Sequence, residues 1–276
     1  MIERNIDLGL LKNTKVAIVT PMYGGSAFAG YVHSLMELTA ICTKNNISLD
    51  FLCVWNESLI TRGRNNLVHN FLKTDNEYLF FVDADIVFNP FDFLYMLQLA
   101  KLDKEKQIIC GAYPIKTINW DFIRKAEERG FVKNKEDYSQ YQSSYVVNLT
   151  EVSSTKTVPF NPDEPLKVYQ SGTGFMLIAK NVFLKFKEKY PEQKYVDKGL
   201  NDFGDWEDGE EKVAFFDCKI NKKTKQYMSE DWMFCDYTNK IGISTWVLPW
   251  VSLNHFGTYE YKGNFKNYSE QYKKLH

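Results

Sequence analysis

Tyr78-Leu79-Phe80-Phe81-Val82-Asp83-Ala84-Asp85-Ile86-Val87-Phe88-Asn89-Pro90 is the stretch whose reading decides the fold. An apolar run of strand length ends abruptly in two carboxylates, and residues two apart in a strand point to the same side. Read as strand, Asp83 and Asp85 face one place, where a hard divalent cation with oxygen ligands relieves their repulsion. The plainer alternative is a strand-end turn whose acids face water. The run before them is apolar on both faces, as in a fully buried parallel strand. The carboxyl end of such a strand is where open α/β sheets place their ligands.

Working outward, Asn89-Pro90 starts a helix to about residue 102, with an Asn cap and Pro at the first helical position. A strand over 107–112 follows, ended by Tyr113-Pro114. On the amino side, residues 15–20 form a β-branched first strand closed by the turn chemistry of Pro21-Met22-Tyr23-Gly24-Gly25. Ser26 caps a helix whose stripe is Phe28, Tyr31, Val32, Leu35, Met36, Thr39 and Cys42. Residues 48–55 form a second strand, and Asn56-Glu57-Ser58 leads into a helix over 59–72. That helix opens with Arg62 and Arg64, although cations at an N-terminus oppose the macrodipole. A bound anion explains them, and so does pairing with nearby acids. The succession βαβαβαβ calls for a mainly parallel, doubly wound sheet.

Past residue 115 the pattern loosens into a polar helix over 120–129 and a long region to 165, with a strand at 145–149. Loops of that length are uncommon unless functional. Two extended runs, 166–170 and 175–179, flank Ser171-Gly172-Thr173-Gly174, whose glycines admit either another chain segment or a ligand. A helix spans 181–190. Residues 201–212, with Asp202, Asp205, Glu207, Asp208, Glu210 and Glu211, read as a solvated acidic loop. A strand over 213–217 precedes a helix capped by Ser229, with Glu230 and Asp231 in its first turn. There the two acids are either good capping or chemistry. Short strands at 244–248 and 251–254 end in His255-Phe256-Gly257, and a basic aromatic tail closes the chain.

Of the 276 residues, 44% are hydrophobic and 25% charged, an ordinary globular balance that excludes disorder. A net charge of −1 argues against a protein that coats nucleic acid, whose affinity comes from neutralising phosphates. Five widely spaced cysteines signal neither a disulfide framework nor zinc, and fit a reducing cytoplasm. Neither a signal peptide nor a membrane span is expected.

Val16 to Tyr23, Arg62 to Asn65, Asp83-Ala84-Asp85, Ser229-Glu230-Asp231 and Leu253-Asn254-His255 stand in an order that resembles the GT-A glycosyltransferases, specifically the compact cytoplasmic kind of phages, large viruses and bacteria. The resemblance covers roughly residues 15–257. It implies a Rossmann-like sheet with a smaller antiparallel acceptor-side portion, in one domain spanning 1–276. Residues 15–115 then form the nucleotide-sugar half, 116–257 the acceptor half and 258–276 the tail. It also implies a cytoplasmic enzyme, in the host cytoplasm if viral, using Mn2+ or Mg2+ held by Asp83, Asp85 and His255. The donor, a nucleoside-diphosphate sugar with uridine favoured, is assigned Thr20, Pro21, Tyr23, Glu57, Arg62, Arg64, Asn65, Asp83, Ala84, Gly172, Thr173 and Gly174. Trp55-Asn56-Glu57-Ser58 departs from the family's Val-Asp-Asp-Gly-Ser-like turn, whose Asp reads the base. Asp231 is implied as general base of an inverting transfer, supported by Glu230. Glycan, lipid-linked sugar, protein side chain and modified DNA base are all open as the acceptor hydroxyl. Three other readings stand beside this one: a retaining transferase, an inactive sugar-nucleotide-binding module and a nucleotidyltransferase. The last expects a phosphate-binding Arg or Lys in a glycine-rich loop after the first strand, which this chain lacks.

Overall fold

The computed structural model describes residues 5–149, 159–200, 206–222 and 224–259, with no side-chain description at 199–200 and 206–208. In chain order the first half contains α1 (Leu8–Leu11), β1 (Lys15–Met22), α2 (Ala29–Lys44), β2 (Ser48–Trp55), α3 (Ile60–Leu72), β3 (Tyr78–Val82), β4 (Ile86–Val87), α4 (Pro90–Leu102) and β5 (Ile108–Cys110). The second half contains α5 (Trp120–Glu128), β6 (Val147–Asn148), β7 (Leu166–Val168), β8 (Gln170–Ser171), β9 (Phe175–Ala179), α6 (Lys180–Lys189), β10 (Lys194–Leu200), β11 (Trp206–Val213), β12 (Lys219–Ile220), β13 (Tyr227–Met228), α7 (Glu230–Lys240), β14 (Thr245–Val247) and β15 (Asn254–His255). No described helix is long and apolar enough to cross a membrane.

A seven-stranded sheet in the order β2-β1-β3-β9-β5-β14-β7 organises the chain. β2, β1, β3, β5 and β14 run parallel, while β9 and β7 run against them. The fold is therefore α/β, a mainly parallel sheet of Rossmann-like type with small antiparallel additions. Because alternate strand residues face opposite ways, the sheet feeds two cores. Val16, Ile18, Phe80, Val82 and Leu177 pack with α2 and α4 on one face. Ala17, Val19, Leu79, Phe81 and Ile178 pack with α3, α6 and α7 on the other. Unbroken apolar runs at β1, β3 and β9 are what burial on both faces demands.

Several local expectations are corrected. α2 begins after Phe28, not at Ser26, because Gly24 and Gly25 take φ of 72° and 69° in a short turn and Phe28 N–H bonds Ala84 O at 2.9 Å. Its buried stripe is Tyr31, Ser34, Leu38 and Cys42, and Val32 and Met36 lie exposed. The acidic stretch is mostly strand: β11 pairs antiparallel with β10, and lysines neutralise it through Lys194–Glu211 and Lys212–Asp197 pairs, both 2.9 Å. Asp202 and Asp205 lie outside the described residues, as do 260–276 of the tail. Beyond Val213 the expected strand gives way to irregular chain, held by buried Phe215 and Phe216. The strand foreseen at 251–254 shrinks to β15, which pairs with β4 and so lays His255 beside Ile86.

Candidate active site

β3 stops at Val82, and Ile86 N–H closes a turn onto Asp83 O at 3.0 Å. Asp83 and Asp85 thus lie in a turn rather than a strand, and the same-side argument of strand geometry does not apply to them. Their carboxylates take different partners. Arg64 lies on the buried stripe of α3 with Leu67, Val68 and Phe71, and its side chain is only 5% exposed. A buried guanidinium requires partners. Arg64 Nη2 donates to Asp83 Oδ1 and Oδ2 at 3.1 and 3.3 Å, and Nε donates to Glu230 Oε1 at 3.3 Å. Burial works against its charge, but Asp83 and Glu230 outweigh burial and raise its pKa. Nη1 is buried with no hydrogen-bond partner.

Asp85 faces a different pair of groups. The Lys116 ammonium sits on Oδ2, and His255 Nε2 lies 3.5 Å from Oδ1. Burial pushes the Asp85 carboxyl up, yet His255 and Lys116 together hold it below the usual carboxylate range. His255 Nδ1 lies 2.7 Å from Pro114 O, and a carbonyl only accepts, so Nδ1 carries the hydrogen. In the neutral ring Nε2 then turns a lone pair toward Asp85 Oδ1, itself buried and without a hydrogen bond. Two acceptors face each other there unless a proton or a cation stands between them. A carboxylate oxygen and an imidazole nitrogen oriented by a backbone carbonyl fit a divalent cation. Among the described residues no cluster of three His, Cys, Asp or Glu is gathered, in keeping with Asp83 being engaged by Arg64.

At the start of α7, Ser229 occupies the cap position but makes no capping bond, and its hydroxyl donates to Asp231 Oδ1 instead. Trp232 N–H donates to the same oxygen at 2.8 Å. Burial, and then the charge of Glu230, push the Asp231 carboxyl up to about 6. This reverses the lowering expected from the helix N-terminus, since desolvation outweighs the dipole.

The remaining expected donor residues divide. Thr20 is buried and its hydroxyl bonds Tyr31 OH at 2.7 Å, whereas Tyr23 is 75% exposed. Pro21 is half-buried, and Ala84 O is taken by Phe28 N–H. Arg62 forks onto Glu57 at 2.6 and 2.9 Å, the pairing alternative to an anion. Asn65 holds the Phe216 peptide with both ends of its amide, each at 2.9 Å, which gives it a structural role in place of the expected donor contact. A Cβ on Gly172 or Gly174 would fall 2.1 or 2.8 Å from Tyr113, so these glycines admit a ring of the chain itself. Thr173 between them is buried with an unpartnered hydroxyl.

Two contributors escaped the sequence reading. Tyr113 accepts Gly174 N–H at 3.2 Å and meets His255 edge-on at 5.2 Å. Lys116 belongs to a polar loop with no motif, and only its charge hinted at a role. Beside His255 opens a cleft of about 350 Å³, lined by Lys116, Gln142, Ser143 and Phe256. A larger one of about 730 Å³, with Tyr145, Val147, Leu149 and Phe160 on its walls, adjoins it at Pro114 and Asn254.

By sequence the chain matches no family model and no curated protein. Three solved structures share its overall shape. A197 from STIV has TM-score 0.47 and 17% identity, over 89% of this chain and 87% of that one. GalNAc-T7 with UDP, GalNAc and Mn2+ has TM-score 0.47 and 11% identity; 98% of this chain is covered, but it spans only 48% of that one. The inositol-1-phosphate CTP transferase from T. maritima has TM-score 0.42 and 13% identity, over 95% and 97%. At these scores the likenesses carry no argument about the site.

Proposed function

We propose that this chain is a divalent-metal-dependent glycosyltransferase that moves a sugar from a nucleoside-diphosphate sugar, UDP-linked by preference, to an acceptor hydroxyl with inversion. One observation carries the reading. Arg64 ties the turn bearing Asp83 and Asp85 to the helix start bearing Glu230 and Asp231. The residues assigned to donor and to acceptor therefore meet at one buried guanidinium.

Asp231 is the base. Both of its hydrogen bonds fall on Oδ1, which assigns Oδ2 to the acceptor hydroxyl. With a pKa near 6 it is ionised at neutral pH yet more basic than an ordinary carboxylate, and it takes the hydroxyl proton as the new C–O bond forms. Arg64 neutralises Asp83 and Glu230, so an anionic donor approaches without repulsion from either. Asp85 and His255, with Asp83, hold the metal; when bound, the ion supplies Lewis-acid stabilisation of the departing nucleoside diphosphate.

The test is a panel of labelled nucleotide sugars, with Mn2+, Mg2+ or chelator, against glycan, lipid-linked, protein and modified-DNA acceptors. Metal-dependent release of nucleoside diphosphate with an inverted product is the expected result. A product retaining the donor's configuration removes Asp231 as base. Pyrophosphate release from a nucleoside triphosphate and a sugar phosphate points to the nucleotidyltransferase class instead.

A further inference from the structure

The placement of Lys116 is built rather than casual. Its ammonium takes the Asp85 oxygen opposite the one facing His255. Its stem lies against Gly257, where a Cβ would come 2.9 Å from Lys116 Cδ and 3.4 Å from Cγ. The stem thus passes through a notch that a glycine leaves open, at the rim of the cleft shared with Gln142, Ser143 and His255. The side chain is 42% exposed, so water is at hand if the ammonium leaves the carboxylate.

We propose that Lys116 is the resident counter-ion of Asp85, displaced when a divalent cation takes that carboxylate, so that metal affinity is set by this exchange. The inference rests on the metal site of the preceding reading. One carboxylate attracts both cations, but holding them a few ångströms apart sets two positive charges against each other. The ammonium is the one that yields: it is a well-hydrated point charge on a flexible stem beside an open cleft. Arg64 has no such exit, because its guanidinium is buried and forked between Asp83 and Glu230. The two acids of the turn therefore differ in kind. Asp83 has a permanent cation and Asp85 an exchangeable one.

The experiment is Mn2+ titration of the full chain without donor, following the electron paramagnetic resonance signal of the free ion. Wild type, Lys116→Met and Asp85→Asn are compared, methionine keeping the stem against Gly257 while removing the charge. Lys116→Met should bind Mn2+ about tenfold more tightly than wild type. The gap should narrow as salt screens the ammonium in wild type, and Asp85→Asn should not bind. If Lys116→Met binds no more tightly than wild type while Asp85→Asn abolishes binding, the exchange is wrong and the metal site stands. Absence of Mn2+ binding, or binding indifferent to Asp85, overturns the metal site and the exchange together.

Discussion

Arg64 and Asp83 are joined inside the molecule, one guanidinium nitrogen reaching both carboxylate oxygens at 3.1 and 3.3 Å while the ring of Phe81 lies 5.2 Å beneath the charge. Truncating Arg64 strands Asp83 and Glu230 together with no cation between them. Arg64→Ala should lower stability by about 3 to 5 kcal/mol, the usual result of breaking a buried pair by removing one partner. Arg64→Lys keeps the charge but cannot fork, so it should recover only part of the loss. Urea unfolding of the three proteins checks this, and an Ala variant within about 1 kcal/mol of wild type contradicts it.

Asp231 links activity to stability with opposite signs. Its folded-state pKa of about 6 lies above the unfolded value near 3.9, so the protein binds more protons folded than unfolded between those values. The stability it contributes is fully present below about pH 4 and is lost as pH rises through about 6, about 3 kcal/mol in all. Transfer needs the ionised form, so the rate should rise with pH through an inflection near 6. Asp231→Asn should be more stable than wild type at pH 7.5 yet slower by orders of magnitude, with donor and metal binding intact. A mutant within a few-fold of wild type sinks the assignment.

Metal removal gives a third expectation. Chelator should abolish transfer and Mn2+ restore it, whereas Asp85→Asn and His255→Ala should resist restoration. His255→Ala also removes the hydrogen bond to Pro114 O, so its melting temperature must be compared with wild type before its activity is interpreted. Turnover that persists in chelator at the wild-type rate would falsify the metal dependence.

The glycine turn tests packing alone. Gly172→Ala places a methyl 2.1 Å from Tyr113 OH and 2.8 Å from its ring carbon. A loss of about 1 to 3 kcal/mol is expected, as for other overpacked sites. Tyr113→Phe in the same chain removes the nearer clash and should return part of that loss, although Gly174 N–H then loses its acceptor. Additive losses in the double variant would show that the two sites do not meet.

What could be read from residues alone followed burial. β1, β3 and β9 are unbroken apolar runs, and α4 carries its Asn89 cap and Pro90 openly, with Asn89 Oδ1 accepting Phe91 N–H at 3.0 Å. Strand periodicity does not say where a strand stops, and so the turn at Asp83 was hidden. The β10–β11 hairpin was hidden by its charges, which composition assigns to solvent and which cross-strand lysines satisfy instead. The link from Arg64 to Glu230 joins residues far apart in the chain, and no local pattern encodes such a partner. Dipole reasoning misjudged Asp231 because desolvation depends on neighbours that only the folded chain supplies.

The place of β9 bears on how the molecule is made. It lies between β3 and β5, yet the chain reaches it only at residues 175–179, after β5 at 108–110. A nascent chain that has emerged as far as residue 115 holds β2, β1 and β3 but cannot join β5 to them, because the strand between does not yet exist. Closing the sheet waits on a long loop, a high-contact-order step that is slow. Meanwhile β3 offers an apolar unpaired edge to other chains. Synthesis that stalls between 115 and 175 should therefore leave an aggregation-prone intermediate rather than a small folded domain.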